Sequence, residues 1–172
     1  MGHTLVLGYG NLDRGDDAVA HHVVNAVRRR LGQDDLSEYD FGWEQFGAEV
    51  DSAFVTQLVP ALTQTLLEYE RVVFVDAHAQ TNGPAVECVP VDPNPQGASH
   101  VHQVTPSLLL ALLQAMHGRE LKAYVVSVRG HDFGFHRGLS PDTATLVEQA
   151  ADCIMELMSG PLTVGPDVQS NG

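Results

Sequence analysis

The sequence predicts an α/β protein in which a twisted, mostly parallel sheet of about five strands carries helices on both faces, in three layers. Short β-branched runs alternate with helical patterns along the chain, and the connections between them are short. The most apolar run is continuous, as expected of a parallel strand that is buried on both sides. Residues 1–160 are expected to form one domain. Residues 161–172, where Gly, Pro, Ser and Asn become frequent, are expected to form a flexible tail.

The first predicted unit is a strand, a tight loop and a helix. Residues 3–7 favour a strand, the glycines that follow favour a loop, and apolar residues from Val19 to Leu31 recur at helical spacing. A weaker strand is expected near 38–43. Apolar residues over 58–69 then predict a second helix, with Pro60 near its start.

The central strand is predicted over Val72–Val75, beside the first strand, and it ends at Asp76. Residues 86–91 favour an edge strand because prolines stand at its two ends. The remaining predicted elements are, in order, an apolar helix over 107–116, a buried strand over 121–128, a polar loop over 129–139 and a last helix that begins at Ser140 and Pro141.

The charge of the chain limits its partners. Nine Lys and Arg residues stand against 22 Asp and Glu, a formal net charge of -13, which repels phosphate backbones and anionic lipid surfaces. We therefore expect no nucleic-acid partner and no membrane partner. No run is long and apolar enough for a membrane span and no basic leader precedes the first strand, so a cytoplasmic protein is expected. Cys88 and Cys153 lie far apart and outside any CxxC pattern, which favours small buried residues over a disulfide.

Three segments follow predicted parallel strands and therefore meet at one edge of the sheet, where such folds bind ligands. These segments are 8–17, 76–78 and 129–139. The first has glycines like those of a dinucleotide-binding loop, but Asp13 stands where the third glycine is needed, and Asp16 and Asp17 would repel a phosphate. Asp16 suits either a helix-capping role or a functional one, whereas Asp17 is harder to place as a cap.

Carboxylates and histidines near these strand ends suggest a hydrolytic or metal-binding site. Two carboxylates at adjacent strand ends can hold a cation or share a proton in hydrolysis, and the residues leave both options open. His100 and His102 are spaced so that their rings face the same way in an extended chain, and His78 has the same relation to Asp76. The sequence patterns of zincins, of hydrolases with a nucleophile elbow and of phosphate-binding loops are absent.

Four motifs occur in a specific order over nearly the whole chain. They are a Gly-Asn loop with an acidic pair over 5–20, a strand-end Asp-Ala over 73–77, His102-Gln103 before the apolar helix, and Gly-Leu-Ser-Pro over 138–141. In these motifs the chain resembles the hydrogenase maturation endopeptidases, which trim the C-terminal tail of a NiFe-hydrogenase large subunit. Segments 57–62 and 127–133 are most similar to the subgroup that serves soluble, NAD(P)-coupled hydrogenases.

The resemblance implies an endopeptidase that removes a short C-terminal peptide from a NiFe-hydrogenase large-subunit precursor after nickel insertion. By the same resemblance, the catalytic and metal-contacting residues are Asp17, Asp76 and His102, and the loop that the substrate tail approaches contains Gly8, Gly10 and Asn11. The nickel is then carried by the substrate, zinc or cadmium could take its place in a crystal, and no organic cofactor is expected. Two features depart from the family: Ala20 replaces a usual Gly, and residues 36–56 do not align easily.

Two other functions agree with the same residues. A non-catalytic metal- or nucleotide-binding module on this fold would bind a partner without changing its mass. A two-carboxylate peptidase without a metal would cleave nickel-loaded and nickel-free precursors equally.

Overall fold

The computed structural model describes residues 3–94 and 103–160. The strands are β1 (Thr4–Tyr9), β2 (Val50–Val55), β3 (Arg71–His78), β4 (Val86–Pro90) and β5 (Lys122–Arg129). The α-helices are α1 (Val19–Arg30), α2 (Leu62–Leu66), α3 (Pro106–His117), α4 (Pro141–Ala144) and α5 (Val147–Ser159), and short 3-10 helices cover Gly15–Ala18 and Trp43–Gln45. None of the helices within the described ranges is long and apolar enough to cross a membrane.

The five strands form one sheet in the order β2-β1-β3-β5-β4. All neighbouring pairs are parallel except β4 with β5, so β4 is an antiparallel edge strand. Helices α1 and α5 pack on one face of the sheet, and α2 and α3 on the other. The predicted α/β class, with a mostly parallel five-stranded sheet and helices on both faces, is confirmed.

The strand order places a crevice between β1 and β3. The chain leaves β1 for β2 on one side of the sheet and then returns to form β3 on the other side of β1. Connections that depart in opposite directions separate at the carboxyl ends of the two strands, and ligands bind at such switch points in open α/β sheets. Tyr9, the last residue of β1, and Asp76, two residues before the end of β3, lie at this point.

The predicted strand near 38–43 is wrong, and β2 lies instead at Val50–Val55. Gly42 has a φ of 90°, a left-handed turn conformation that breaks an extended run, and Asp40 accepts a hydrogen bond from the Gly42 amide. The last helix also differs, because residues 145–146 separate a short α4 from α5. Ser140 caps α4 as predicted, since its hydroxyl accepts a hydrogen bond from the Thr143 amide.

The expectation that the two cysteines are unpaired is wrong. Cys88 on β4 and Cys153 on α5 form a disulfide between residues that are 65 positions apart in the sequence. Because α5 packs against this edge of the sheet, the fold brings the two thiols together, and no local spacing could have indicated the pair.

Gly8 allows α1 to lie close against β1. A Cβ at position 8 would stand 2.9 Å from Cγ2 of Val24 and 3.3 Å from Cβ of Ala20. Ala20 is the residue that departs from the usual Gly of the family that the sequence resembles. Its methyl group therefore occupies space that only a glycine at position 8 leaves free.

Candidate active site

A cleft of about 660 Å³ opens at the carboxyl ends of β1 and β3. Its walls come from the ends of β1 and β3, the segment after β2, and the chain that leads into α3. The described residues that line it are Tyr9, Gly10, Asp17, residues 56–60, Asp76, Ala77 and residues 103–105. Two of these are carboxylates and none is Lys, Arg or His, so the described lining attracts cations and disfavours phosphates.

Asp76 is half-buried near the carboxyl end of β3, which continues two residues beyond the predicted end, and it is held by two hydroxyl groups. Ser127 Oγ donates to Oδ1 at 2.6 Å, and Tyr9 OH donates to Oδ2 at 2.7 Å. Burial raises the pKa of Asp76 above its usual range, although these two hydrogen bonds oppose the rise, and the nearby charge of Asp17 adds to it. The pKa of Tyr9 is also raised, first by burial and then by the charge of Asp76.

Asp17 enters the same cleft from the loop that follows β1. Its Oδ2 accepts a hydrogen bond of 2.6 Å from the Asn11 amide. Only a glycine at position 10 allows the loop to pass this close to Asp17, because a Cβ there would lie 2.1 Å from the backbone oxygen of Asp17. The space beside Gly8 and Gly10 is thus filled by the protein's own atoms, while approach of a substrate tail to this loop stays a prediction.

Asp16 points away from the cleft and is fully buried. Its two oxygens accept five hydrogen bonds, from the amides of His131, Asp132 and Ser140 and from the hydroxyls of Ser140 and Thr143, at 2.7 to 2.9 Å. Burial alone would raise the pKa of Asp16, but these donors lower it well below its usual range. Asp16 therefore connects the segment after β1, residues 10–17, here called the acidic loop, to the loop after β5, and it does not cap its own helix.

Two histidines of the loop after β5, His131 and His136, contact the loop itself and helix α4. His131 Nδ1 lies 2.8 Å from Thr143 Oγ1, and His136 forms an exposed ion pair of 2.9 Å with Asp132. This pair raises the pKa of His136. Neither histidine lines the cleft. This loop contacts the segment that follows β1, since the Asp16 amide donates to the Asp132 carbonyl.

The structure brings Asp17 and Asp76 together at one cleft, as the sequence predicts. His100 and His102 lie outside the described residues, but Gln103, the next residue in the chain, lines the cleft. Within the described part of the chain, no three His, Cys, Asp or Glu side chains are grouped closely enough to hold a metal ion. The ligand set of Asp17, Asp76 and His102 thus stays a prediction.

Two residues of the site were missed in the sequence. Tyr9 stands between the two glycines of the loop, and Ser127 is the one serine in the largely apolar run of β5. A polar residue inside a strand that is predicted to be buried is itself a signal, because a buried hydroxyl needs a partner. The partner in this case is the carboxylate at the end of the adjacent strand.

Comparison with known proteins gives a structural match and no sequence match. No family model and no curated protein matches the sequence. The hydrogenase maturating endopeptidase HybD from E. coli matches with a TM-score of 0.68 and 20% identity, over 91% of this chain and 92% of that one. The NiFe-hydrogenase maturation protease HycI from Thermococcus kodakarensis matches with a TM-score of 0.62 and 18% identity, over 92% and 94% of the two chains.

A third solved structure gives the same result. The hydrogenase 2 maturation peptidase from a Thaumarchaeota archaeon has a TM-score of 0.58 and 20% identity, and the match covers 91% of this chain and 97% of that one. The matches span nearly the full length of both partners in each case. The protein therefore has the fold of the hydrogenase maturation endopeptidases.

Proposed function

We propose that this protein is an endopeptidase that removes a short C-terminal peptide from a NiFe-hydrogenase large-subunit precursor after nickel insertion. The observation that carries the proposal is the pair of carboxylates, Asp17 and Asp76, which line one cleft at the switch point of a fold shared with such endopeptidases. The sequence motifs support it, because two of the four contain these carboxylates. The subgroup for NAD(P)-coupled hydrogenases is the finer part of the proposal.

The protein recognises nickel that the substrate already holds. Asp17, Asp76 and His102 offer two oxygen ligands and one nitrogen ligand, a set that suits Ni(II) and is incomplete without groups from the substrate. Binding of the substrate-held metal fixes the position of the tail that follows it in the cleft. The two carboxylates and the lack of basic residues in the described lining of the cleft agree with a cationic centre.

Cleavage requires a water molecule that loses a proton as it attacks the scissile carbonyl. A carboxylate of the cleft accepts this proton and returns it to the leaving amine, so that the peptide bond breaks with no net change in the enzyme. As the alternative, a metal held at this position would lower the pKa of bound water and polarise the carbonyl. Orientation of the tail beside the carboxylates supplies the proximity that the reaction needs.

The test is incubation of the purified protein with nickel-loaded and nickel-free precursor, followed by mass spectrometry of the large subunit. We expect loss of a short C-terminal peptide from the loaded form alone. A His102→Ala variant is expected to lose this processing, whereas His117→Ala, at the end of α3, should retain it.

Each other result identifies a different function. Equal cleavage of both precursor forms indicates a metal-independent carboxylate peptidase. Stoichiometric binding without a change in mass indicates a non-catalytic module. Undiminished processing by His102→Ala contradicts the assignment of that histidine.

A further inference from the structure

Both oxygens of the Asp76 carboxylate are held by side chains from neighbouring strands. Strand β3 lies between β1 and β5, so Tyr9 reaches Asp76 from one side and Ser127 from the other. Each hydroxyl takes a different oxygen, at 2.7 Å and 2.6 Å. A carboxylate held at both oxygens cannot rotate about its Cβ–Cγ bond without breaking a hydrogen bond.

The positions of these hydroxyls follow from strand pairing. Ser127 is the direct cross-strand neighbour of Asp76, and Tyr9 follows Gly8, which pairs with Val75. Groups placed by a regular sheet hold a site more accurately than groups on loops. The frame around Asp76 is therefore built into the sheet, whereas Asp17 depends on the acidic loop.

Two hydrogen bonds leave the carboxylate free to act on a ligand. An ionised carboxylate has about four acceptor positions, of which Tyr9 and Ser127 use two. The others remain for a group in the cleft that Asp76 lines. The arrangement thus fixes the direction in which Asp76 presents its oxygens.

We propose that Tyr9 and Ser127 are positioning residues that orient Asp76 for cleavage of the substrate tail. The inference rests on the proposed function and deepens it. Both residues act through Asp76, so they govern turnover more than substrate binding.

The test is kinetic analysis of Tyr9→Phe and Ser127→Ala with the nickel-loaded precursor. Each variant should lose about 10- to 100-fold in kcat, the usual cost of removing a partner that orients a site residue. Since each hydroxyl donates its proton to Asp76, KM should change by less than about threefold. Ser127→Thr keeps the hydroxyl and should recover most of the lost kcat.

Matched controls are Tyr124→Phe and Ser159→Ala, which should keep the wild-type kcat. Tyr124 has the same strand parity as Val126 and Val128, which pack on the opposite face of the sheet, and Ser159 is at the end of α5. The positioning role is overturned if kcat is unchanged in both test variants, or if KM alone rises. It is also overturned if the loss of kcat follows thermal destabilisation and Ser127→Thr does not recover it. If the wild-type protein leaves the loaded precursor intact, the proposed function fails and this inference falls with it.

Discussion

An Asp76→Asn variant is expected to lose precursor processing by about 10²- to 10⁴-fold while it remains folded. The amide cannot accept the proton of an attacking water and is a much poorer metal ligand than a carboxylate. The surrounding hydrogen bonds can survive the change, because the hydroxyls of Tyr9 and Ser127 donate to the amide oxygen or accept from its nitrogen.

The stability of Asp76→Asn shows whether the buried charge of Asp76 stabilises or destabilises the fold. The folded-state pKa of Asp76 is raised, first by burial, above its value in the unfolded chain. Ionisation therefore opposes folding by an amount that grows as the pH rises from the unfolded-state pKa to the folded-state pKa and is constant above it. At neutral pH the uncharged Asn removes this penalty, and we expect a melting temperature equal to or above that of the wild type.

The matched control is Asp152→Asn, which changes an exposed carboxylate on α5 that pairs with Arg30. Processing should be unchanged in this variant. Mass spectrometry of the precursor and thermal unfolding followed by circular dichroism measure the two effects separately. If Asp76→Asn processes the loaded precursor at the wild-type rate, Asp76 has no role in cleavage.

An Asp16→Asn variant is expected to be destabilised by about 3 kcal/mol or more. The carboxylate is fully buried and accepts five hydrogen bonds, and an amide would direct its own N–H groups at some of those donors. The loss would loosen the contact between the acidic loop and the loop after β5. Processing should fall as well, because Asp17 is the next residue in that loop.

The effect of Asp16 on stability depends on pH with a definite sign. Its folded-state pKa lies far below that of the unfolded chain, so its contribution is complete above about pH 4 and is lost as the pH falls towards the folded-state pKa. Urea unfolding from pH 7 to pH 3 should show a shallower decline for Asp16→Asn than for the wild type. Asp13→Asn, an exposed carboxylate paired with Arg137, is the control and should follow the wild type. Equal stability of Asp16→Asn and wild type at pH 7 would contradict the structural role of Asp16.

The sequence predicted the order of the strands and main helices but misplaced β2, a strand that contains buried polar residues. Strand β2 includes Asp51 and Ser52, both buried, which interrupt the apolar pattern. Asp51 is satisfied by the amides of Gly47 and Ala48 and by the hydroxyl of Tyr69. Because these partners belong to other segments, the residues of β2 alone resemble a loop.

The two carboxylates at the cleft were predictable, because Asp17 follows β1 and Asp76 lies near the carboxyl end of the adjacent β3. The role of Asp16 was not, since its donors are 115 to 127 residues away in the chain. The partners of Asp76 depend likewise on the register of β1 and β5 with β3. A sequence indicates which residues can accept hydrogen bonds, whereas the register of the sheet determines which donors reach them.

The close approach of α1 to β1 has a consequence for how this protein diverges from its relatives. Positions 8, 20 and 24 share one small volume, because a Cβ on Gly8 would contact both Ala20 and Val24. A larger residue at any one of them must be compensated by a smaller residue at another, so the three should covary in size in an alignment of related chains. Ala20 and Gly8 would then form a compensated pair. Every relative that carries alanine at position 20 would require glycine at position 8.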